Sequence, residues 1–192
     1  MEELLHENKT FTKIIYSEKQ IKNREFEQCT FVDCDFSNSD FSFNRFSDCT
    51  FIGCNLAMLK LAKTSLCVVH FKQCKLLGVN FSECEDFLFE VSFNECVADY
   101  ASFRWKKMAK TKFINTSLQG VFFDDANLSS ALFDKVNLQG AVFNRTDLKE
   151  ADFRTAEQYT IDPELNNVRK AKFSFPSVLG LLAKHNINVE IV

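Results

Sequence analysis

Residues that usually make tight turns are scarce in this sequence: five glycines and two prolines occur among its 192 residues. Antiparallel β-proteins use Gly and Pro for many of their hairpin connections, so this scarcity argues against a hairpin-rich fold. Tryptophan and tyrosine are also few, with one and three copies, whereas phenylalanine occurs 22 times. The chain therefore needs another way of changing direction around an interior that is rich in phenylalanine.

A strong excess of one charge and long apolar runs are lacking too. The net charge is −3, from 23 basic and 26 acidic residues, so the composition gives no support to direct binding of nucleic acid. No apolar stretch approaches the roughly 20 residues that a membrane-spanning helix needs, and the acidic start at 1–7 does not resemble a signal peptide. We therefore expect a cytoplasmic protein that contacts neither membrane nor nucleic acid directly, with its eight cysteines as free thiols.

Motifs of the common catalytic and cofactor sites are missing as well. The three histidines, His6, His70 and His185, are too scattered to indicate a metal site or a catalytic triad. The sequence has no dinucleotide-binding motif, no phosphate-binding glycine-rich loop and no zinc-protease motif. We expect no enzyme activity, no cofactor and no metal.

What the sequence does contain is a repeat of five residues. An apolar residue, most often Phe or Leu, returns at every fifth position over Ile21–Phe81 and again, displaced by two residues, over Leu88–Phe153. All 27 of these positions, which we call the centres of the repeat, are apolar, and their spacing matches neither a helix nor a strand. The position two residues before a centre is mostly small, as at Cys34 and Ala126. Each unit is therefore predicted to turn one large and one small side chain inward.

The order of residue types within a unit resembles the pentapeptide-repeat family over about residues 21–153. That order is a small residue, Asp or Asn, Phe or Leu, then Ser, as at 34–38 and 126–130. The resemblance implies an all-β fold, a right-handed quadrilateral parallel β-helix in which four units make one coil. About seven such coils would stack about 4.8 Å apart, the spacing of paired strands.

With four units in a coil, every fourth centre lies on the same face. If Leu88 takes the place due after Phe81, one face collects only phenylalanines, which are expected to stack on one another: Phe31, Phe51, Phe71, Phe93, Phe113, Phe133 and Phe153. The two extra residues fall within 82–87, where one corner is expected to bulge outward. The predicted segments are an N-terminal cap at 1–20, the β-helix at 21–155 and a C-terminal capping and dimerisation segment at 156–192.

Seven of the eight cysteines stand at or in step with the small inward position of the repeat. Pairs that are five residues apart, such as Cys29 and Cys34, do not match the ligand spacing of two to four residues in zinc sites. We interpret these cysteines as small buried side chains. Cys67 directly follows a centre and is expected to point outward as an inert thiol.

Charge is distributed unevenly along the chain: residues 1–55 sum to −4, residues 56–120 to +3 and residues 121–192 to −2. The basic middle part also carries aromatic residues that are expected to point outward. An exposed apolar patch edged with charge is typical of protein-binding surfaces. The predicted partner surface consists of Phe87, Phe89, Trp105, Lys106 and Lys107. The alternative is that these rings cover one another around the bulge.

Two further stretches, 75–80 and 161–166, resemble a narrower group within the family, the quinolone-resistance and microcin B17 immunity pentapeptide proteins. The resemblance implies binding to the type II topoisomerases DNA gyrase and topoisomerase IV, and their protection from quinolones or peptide toxins by a rod that imitates DNA. The alternative is a protein-interaction scaffold with an unrelated partner. A DNA mimic needs a continuous acidic stripe, whereas such a scaffold needs an apolar and basic patch in its middle part.

The sequence after Phe153 predicts that the chain leaves the coil through an irregular turn. A short helix within 174–184 and a strand-like end at 187–192 are expected to follow. The apolar side chains there exceed what one coil end can cover, so we expect a homodimer joined end to end. The predicted dimer interface consists of Val178, Leu179, Leu182, Val189 and Ile191. The alternative is a segment that folds back on its own coil as a monomeric cap.

Overall fold

The structure, a computed structural model, describes residues 4–175 and 177–189 and is an all-β parallel solenoid. The strands are β1 Leu5–Glu7, β2 Thr10–Thr12, β3 Glu25–Glu27, β4 Thr30–Val32, β5 Arg45–Ser47, β6 Thr50–Ile52, β7 Ser65–Cys67, β8 Val69–Lys72, β9 Val91–Asn94, β10 Lys112–Ile114 and β11 Leu132–Asp134. One sheet has the order β1-β3-β5-β7, and the other has the order β2-β4-β6-β8-β9-β10-β11. Short 3-10 helices lie at Phe81–Glu83, Ser177–Leu181 and Ala183–His185.

The strand register shows that four five-residue units make one turn of the solenoid. Phe31 pairs with Phe51 in parallel, a separation of 20 residues, and the same separation recurs on all faces. Phe71 pairs with Phe93, so one turn contains 22 residues and absorbs the two extra ones. The predicted parallel β-helix is confirmed.

The corners of the coil are turned by residues with a left-handed backbone, two positions after a centre. Four of the five glycines have a positive φ at such positions, but so do many other residues, among them Asn38 at 55° and Asp125 at 56°. Asn and Asp adopt this conformation more readily than most residues. A regular corner made mainly of non-glycine residues explains how the chain changes direction with so few glycines and prolines.

The seven phenylalanines expected on one face form a continuous stack. Ring centroids of successive members are 4.5–5.4 Å apart and the rings are near parallel. Six turns separate the first member, Phe31, from the last, Phe153. Phe11 and Phe173 extend the stack by one ring at each end, at 5.0 and 5.4 Å. These six turns and the extra ring at each end compare with the expected figure of about seven coils.

A second stack supports the first from the neighbouring face. Phe81, Phe103 and Phe123 stack on one another at 4.7 and 5.4 Å, and their rings meet the first stack edge to face. The ring of Phe103, for example, lies 5.6 Å from that of Phe93 at 78°. Offset and edge-to-face contacts are the favoured geometries of aromatic pairs, so the rings of the two faces stabilise one another.

Several polar atoms at the small inward position are satisfied by the coil below. The thiol of Cys54 donates to the carbonyl of Phe31 at 3.4 Å, and the hydroxyl of Thr64 donates to that of Phe41 at 2.8 Å. Because these two donors have a backbone acceptor one coil away, they are buried without being unpaired. The hydroxyl of Thr116 instead donates to the carbonyl of Ile114 on its own coil at 2.8 Å. Burial also raises the pKa of Cys49 to about 11, which keeps that thiol protonated.

The segment expected to form an N-terminal cap pairs as a coil of its own, as far as it is described. β1 pairs with β3 and β2 with β4, in the register that the later coils use. Its inward residues leave a cavity of about 390 Å³ at the N-terminal end, lined mainly by apolar side chains that include Phe11, Tyr16 and Ile21.

The expectation that the chain leaves the coil after Phe153 needs correction, because the coil resumes at Asn166. The side chain of Asn166 donates to the carbonyl of Phe143 and accepts from the N–H of Thr146, both at 2.9 Å. These are the bonds of a small inward residue. Tyr159 and Ile161 are buried and fill the interior where the period is lost.

Beyond Phe173 the chain folds back over the last coil. The N–H of Ile161 donates to the carbonyl of Gly180 at 3.2 Å, and Lys184 forms ion pairs with Asp162 and Glu164. Leu181 packs against the core. The expected short helix is present as the two 3-10 helices, while residues 187–189 form no strand and 190–192 lie outside the described residues.

The predicted dimer interface is therefore divided between this cap and solvent. Val178 and Leu179 are half-buried, whereas Leu182 and Val189 are 39% and 47% exposed. Ile191 lies outside the described residues. The fold-back has the geometry of the monomeric cap, with some apolar side chains left on its outer surface.

Candidate partner-binding surface

The chain departs from the five-residue period between Phe81 and Val91. The N–H of Glu85 donates to the carbonyl of Thr64 at 2.9 Å, and the N–H of Glu90 donates to that of Leu66 at 3.0 Å. The two donors, Glu85 and Glu90, are five residues apart, whereas their acceptors on the coil below, Thr64 and Leu66, are only two residues apart. The extra residues project outward, and we call residues 84–89 the bulge.

Within the bulge, Phe89 rather than Leu88 turns inward. Phe89 is 7% exposed, whereas Leu88 is 60% exposed and has a φ of 55°. The expectation that Leu88 is a centre and that Phe89 belongs to the partner surface is wrong. The hydrogen bond between Glu90 and Leu66 fixes where the chain rejoins the coil, and this register places the Phe89 side chain inside.

Lys106 is also buried, at 2% exposure, so its prediction as a surface residue is wrong. It stands two residues before the centre Met108, which is the small inward position of the repeat. Its Nζ donates to the carbonyl of Cys84 at 2.5 Å and to Oδ1 of Asp86 at 2.6 Å. This position lies on the coil after the bulge, and the long lysine side chain reaches acceptors within the bulge.

The remaining predicted surface residues point to solvent. Phe87 is 78% exposed and Trp105 is 63% exposed, and Lys107 is exposed as well. The sequence analysis left two interpretations of these aromatic rings, a partner surface or rings that cover one another. Phe89 is buried, as the second requires, whereas Phe87 and Trp105 are exposed, as the first requires. With Leu88, they form a surface of large apolar side chains on and beside the bulge.

The charge around this surface is more acidic than the sequence analysis expected. Glu83, Glu85, Asp86 and Glu90 are all exposed on or beside the bulge. Only Asp86 in this group pairs with Lys106, which is itself removed from the surface. Although residues 56–120 carry a net positive charge, the exposed charges on and beside the bulge are therefore mainly negative.

On the neighbouring coil, Arg104 is held by two contacts. Its Nε lies 3.0 Å from Oδ2 of Asp124, and its guanidinium lies 4.4 Å from the centre of the Phe122 ring. Partial burial acts to raise the pKa of Asp124, but hydrogen bonds from Asn144 and Arg104 outweigh it and lower this pKa below its ordinary value.

Sequence reasoning missed a second apolar surface, formed by exposed side chains on successive coils: Met58, Leu77, Val97 and Tyr100. Glycines on the following coil give two of these side chains room. A Cβ at Gly78 would lie 2.6 Å from Sδ of Met58, and one at Gly120 would lie 2.7 Å from the ring of Tyr100. The signal was available, since these glycines occupy corner positions in register with Met58 and Tyr100.

Other kinds of site find no counterpart in the part of the chain that the structure describes. Within residues 4–175 and 177–189, no three His, Cys, Asp or Glu side chains come together as metal ligands. No helix among these residues is long and apolar enough to cross a membrane. All eight cysteines are free, and Cys67 alone is not fully buried.

Two family models match the chain. One, described as a pentapeptide repeat region, matches residues 24–103, and the other, described as eight copies of the pentapeptide repeat, matches residues 123–156. Together they cover more than half of the chain. The comparison with curated proteins gave no match.

Solved structures show the same architecture. A trypsin-treated variant of QnrB1, a plasmid-mediated fluoroquinolone resistance protein, is similar with a TM-score of 0.66 and 16% identity, over 94% of this chain and 100% of that one. A second such variant gives 0.50 and 18%, over 94% and 99%. HetL from the cyanobacterium Nostoc sp. strain PCC 7120, involved in regulating heterocyst differentiation, gives 0.42 and 14%, over 90% of each chain. At 16–18% identity, the likeness to the two QnrB1 variants shows a shared fold alone.

Proposed function

Because this chain belongs to the pentapeptide-repeat family, we propose that it acts without catalysis, by binding a type II topoisomerase and protecting it from quinolones or peptide toxins. The targets are DNA gyrase and topoisomerase IV. The proposal carries over to this chain the resistance role described for QnrB1, with which it shares the solenoid along nearly its whole length.

The observation that supports a binding role is the exposed apolar surface at the bulge. Phe87, Leu88 and Trp105 are each at least 60% exposed, whereas the phenylalanine centres of the repeat are buried. Large exposed apolar side chains with charged neighbours are typical of sites where a partner is held. In the proposed complex, Phe87 and Leu88 enter an apolar pocket of the partner, and the carboxylates of Glu85 and Glu90 face basic groups beside it.

A scaffold with an unrelated partner is the alternative, and the surface of Met58, Leu77, Val97 and Tyr100 favours it. This surface lies at the corner of the solenoid that precedes the bulge, and Lys75, which pairs with Val97, lies beside it. If this surface rather than the bulge binds the partner, substitutions at Phe87 and Leu88 leave binding unchanged, whereas substitutions at Leu77 and Tyr100 weaken it.

A supercoiling assay with purified gyrase and a fluoroquinolone tests the proposal. The full chain is expected to restore supercoiling at concentrations near that of the enzyme. A Phe87→Ala, Leu88→Ala double variant should need about tenfold more protein, since such anchors often contribute a large share of binding energy. Leu165→Ala, at a side chain 54% exposed elsewhere on the rod, is the matched control. Failure of the wild-type chain to bind gyrase or topoisomerase IV would overturn the topoisomerase proposal.

We also propose that the chain forms a homodimer through its C-terminal segment. The support is the apolar outer surface of the cap, where Leu182, Ile187 and Val189 are exposed. Light scattering on the full chain should give twice the 22.1 kDa of one chain. A Leu182→Asp, Val189→Asp variant should give the monomer mass. A wild-type mass near that of one chain, unchanged in the variant, contradicts the dimer.

A further inference from the structure

We propose that Lys106 is a positioning residue that holds the bulge in the conformation from which Phe87 and Leu88 project. The use of these side chains to contact a partner rests on the proposed function, but the effect of Lys106 on the bulge does not. Lys106 itself cannot contact a partner directly, since it is only 2% exposed.

The contacts of the Lys106 ammonium group converge on the bulge. Nζ donates to the carbonyl of Cys84 at 2.5 Å and to the carboxylate of Asp86 at 2.6 Å. It also lies 5.2 Å from the centre of the Phe89 ring, within cation–π range. A lysine ammonium has three donor hydrogens, so one group ties the first residue of the bulge, a middle residue and the inward aromatic residue together.

The position of Lys106 in the repeat shows that its length serves the bulge. Arg24 occupies the equivalent position at the N-terminal end. From Asn44 onward, the equivalent inward positions on the other coils hold shorter side chains: Asn44, Thr64, Cys84, Ala126, Thr146 and Asn166. Those of Thr64 and Thr146 donate to a carbonyl of the coil below at 2.8 and 2.9 Å. The equivalent acceptor for Lys106 would be the carbonyl of Phe81, but its longer side chain reaches the carbonyl of Cys84 and the carboxylate of Asp86 instead. Among the residues that the structure describes, Lys106 is the one buried lysine, and it stands on the coil that directly follows the bulge. Lys9 and Lys19 also occupy inward positions, on the first coil, but neither is fully buried.

Backbone bonds hold the ends of the bulge but reach its middle less firmly. Cys84 donates to the carbonyl of Phe81 at 3.0 Å, and Phe89 donates to that of Asp86 at a longer 3.4 Å. Without the ammonium group, the buried carbonyl of Cys84 loses the donor from Lys106, and Asp86, whose side chain is 68% exposed, is free to turn into solvent. Phe87, next to Asp86, then loses its fixed direction.

Hydrogen exchange on the intact chain tests this inference. Lys106→Met, which keeps the length but not the charge, is expected to speed exchange of the amides of residues 85–89 by about tenfold, as for the loss of a hydrogen bond to a charged group. Amides of the regular coil at 121–135 should keep their rates. Lys107→Met, at the exposed neighbouring lysine, is the matched control and should change neither region.

A second variant keeps the test informative if Lys106→Met does not fold. Asp86→Asn alters an exposed side chain and should speed exchange in the bulge by a smaller factor, leaving residues 121–135 unchanged. Equal rates in the bulge of Asp86→Asn and the wild type, or a uniform increase along the whole coil in Lys106→Met, would overturn the positioning role.

Binding measurements separate this inference from the proposed function. If the wild-type chain does not bind gyrase but Lys106→Met exchanges faster in the bulge, the positioning role stands and the topoisomerase proposal is wrong. If the wild type binds, Lys106→Met should bind more weakly, and Phe87→Ala should then cost it less affinity than it costs the wild type. Additive losses in this pair contradict the inference.

Discussion

The bulge at 84–89 begins at the edge of the solenoid where the regular corner at 124–126 lies, and the two differ in what they show to solvent. At the regular corner, Asp125 turns the chain with a φ of 56° and Ala126 is 1% exposed. In the bulge, the chain takes a longer path, and Phe87 and Leu88 stand 78% and 60% exposed. The comparison teaches that the period fixes what is buried, whereas exposed apolar side chains collect where the period breaks.

The largest effect that distinguishes the two regions is expected from phenylalanine truncation. Phe113→Ala removes a ring that is 0% exposed and stacks between Phe93 and Phe133, so the free energy of unfolding should fall by about 3–5 kcal/mol. Phe87→Ala should change it by less than about 0.5 kcal/mol, since its ring is mostly in solvent. Denaturant unfolding of both variants measures the difference. Similar losses would show that the bulge packs as the regular coil does.

The regular corners differ in how much space separates their glycines from the preceding coil. Gly120→Ala meets the ring of Tyr100 at 2.7 Å, whereas Gly140→Ala has its nearest neighbour at 3.8 Å. Both residues have a positive φ, so each alanine should cost about 1–2 kcal/mol through backbone strain. Gly120→Ala should cost more because Tyr100 must also move. Equal losses in thermal unfolding would mean that the ring of Tyr100 does not rest on this corner.

Acid should weaken the regular corner through Asp124. Its pKa is lowered in the folded protein, because hydrogen bonds from Asn144 and Arg104 outweigh partial burial. The resulting stabilisation is present above the unfolded pKa, near about 4, and is lost as pH falls through the lower folded value. Asp124→Asn should make stability less dependent on pH below about 4, by up to about 1 kcal/mol. Parallel curves for the two proteins would contradict this.

Labelling of cysteine thiols compares the bulge with the regular coil without a substitution that changes stability. Cys84, at the start of the bulge, is as buried as the coil cysteines, and burial raises its pKa to about 12 despite the nearby Lys106 ammonium. The folded chain should therefore show one fast-reacting thiol, that of Cys67, and Cys67→Ser should show none. Fast labelling of Cys84 would indicate that the bulge opens on the timescale of the reaction.

The sequence by itself determined the parallel coil and most of its interior. A large residue every fifth position, with a small one two places earlier, is compatible only with a coil whose sides are five residues long, so the stack from Phe31 to Phe153 could be predicted residue by residue. The inward place of cysteines such as Cys54 followed from the same period. These positions depend only on the spacing of residues along the chain, which can be read directly from the sequence.

The tertiary structure alone decided the bulge and the C-terminal end. Phe89 turns inward because Glu90 bonds to Leu66 on the coil below, and Lys106 is buried where its ammonium group bonds to Cys84 and Asp86 of the bulge. At the C-terminal end, Asn166 restores the coil through bonds to Phe143 and Thr146 on the coil below. Each outcome depends on hydrogen bonds between residues about 20 positions apart. Where the five-residue period is interrupted, the neighbouring sequence does not predict which residues form these bonds.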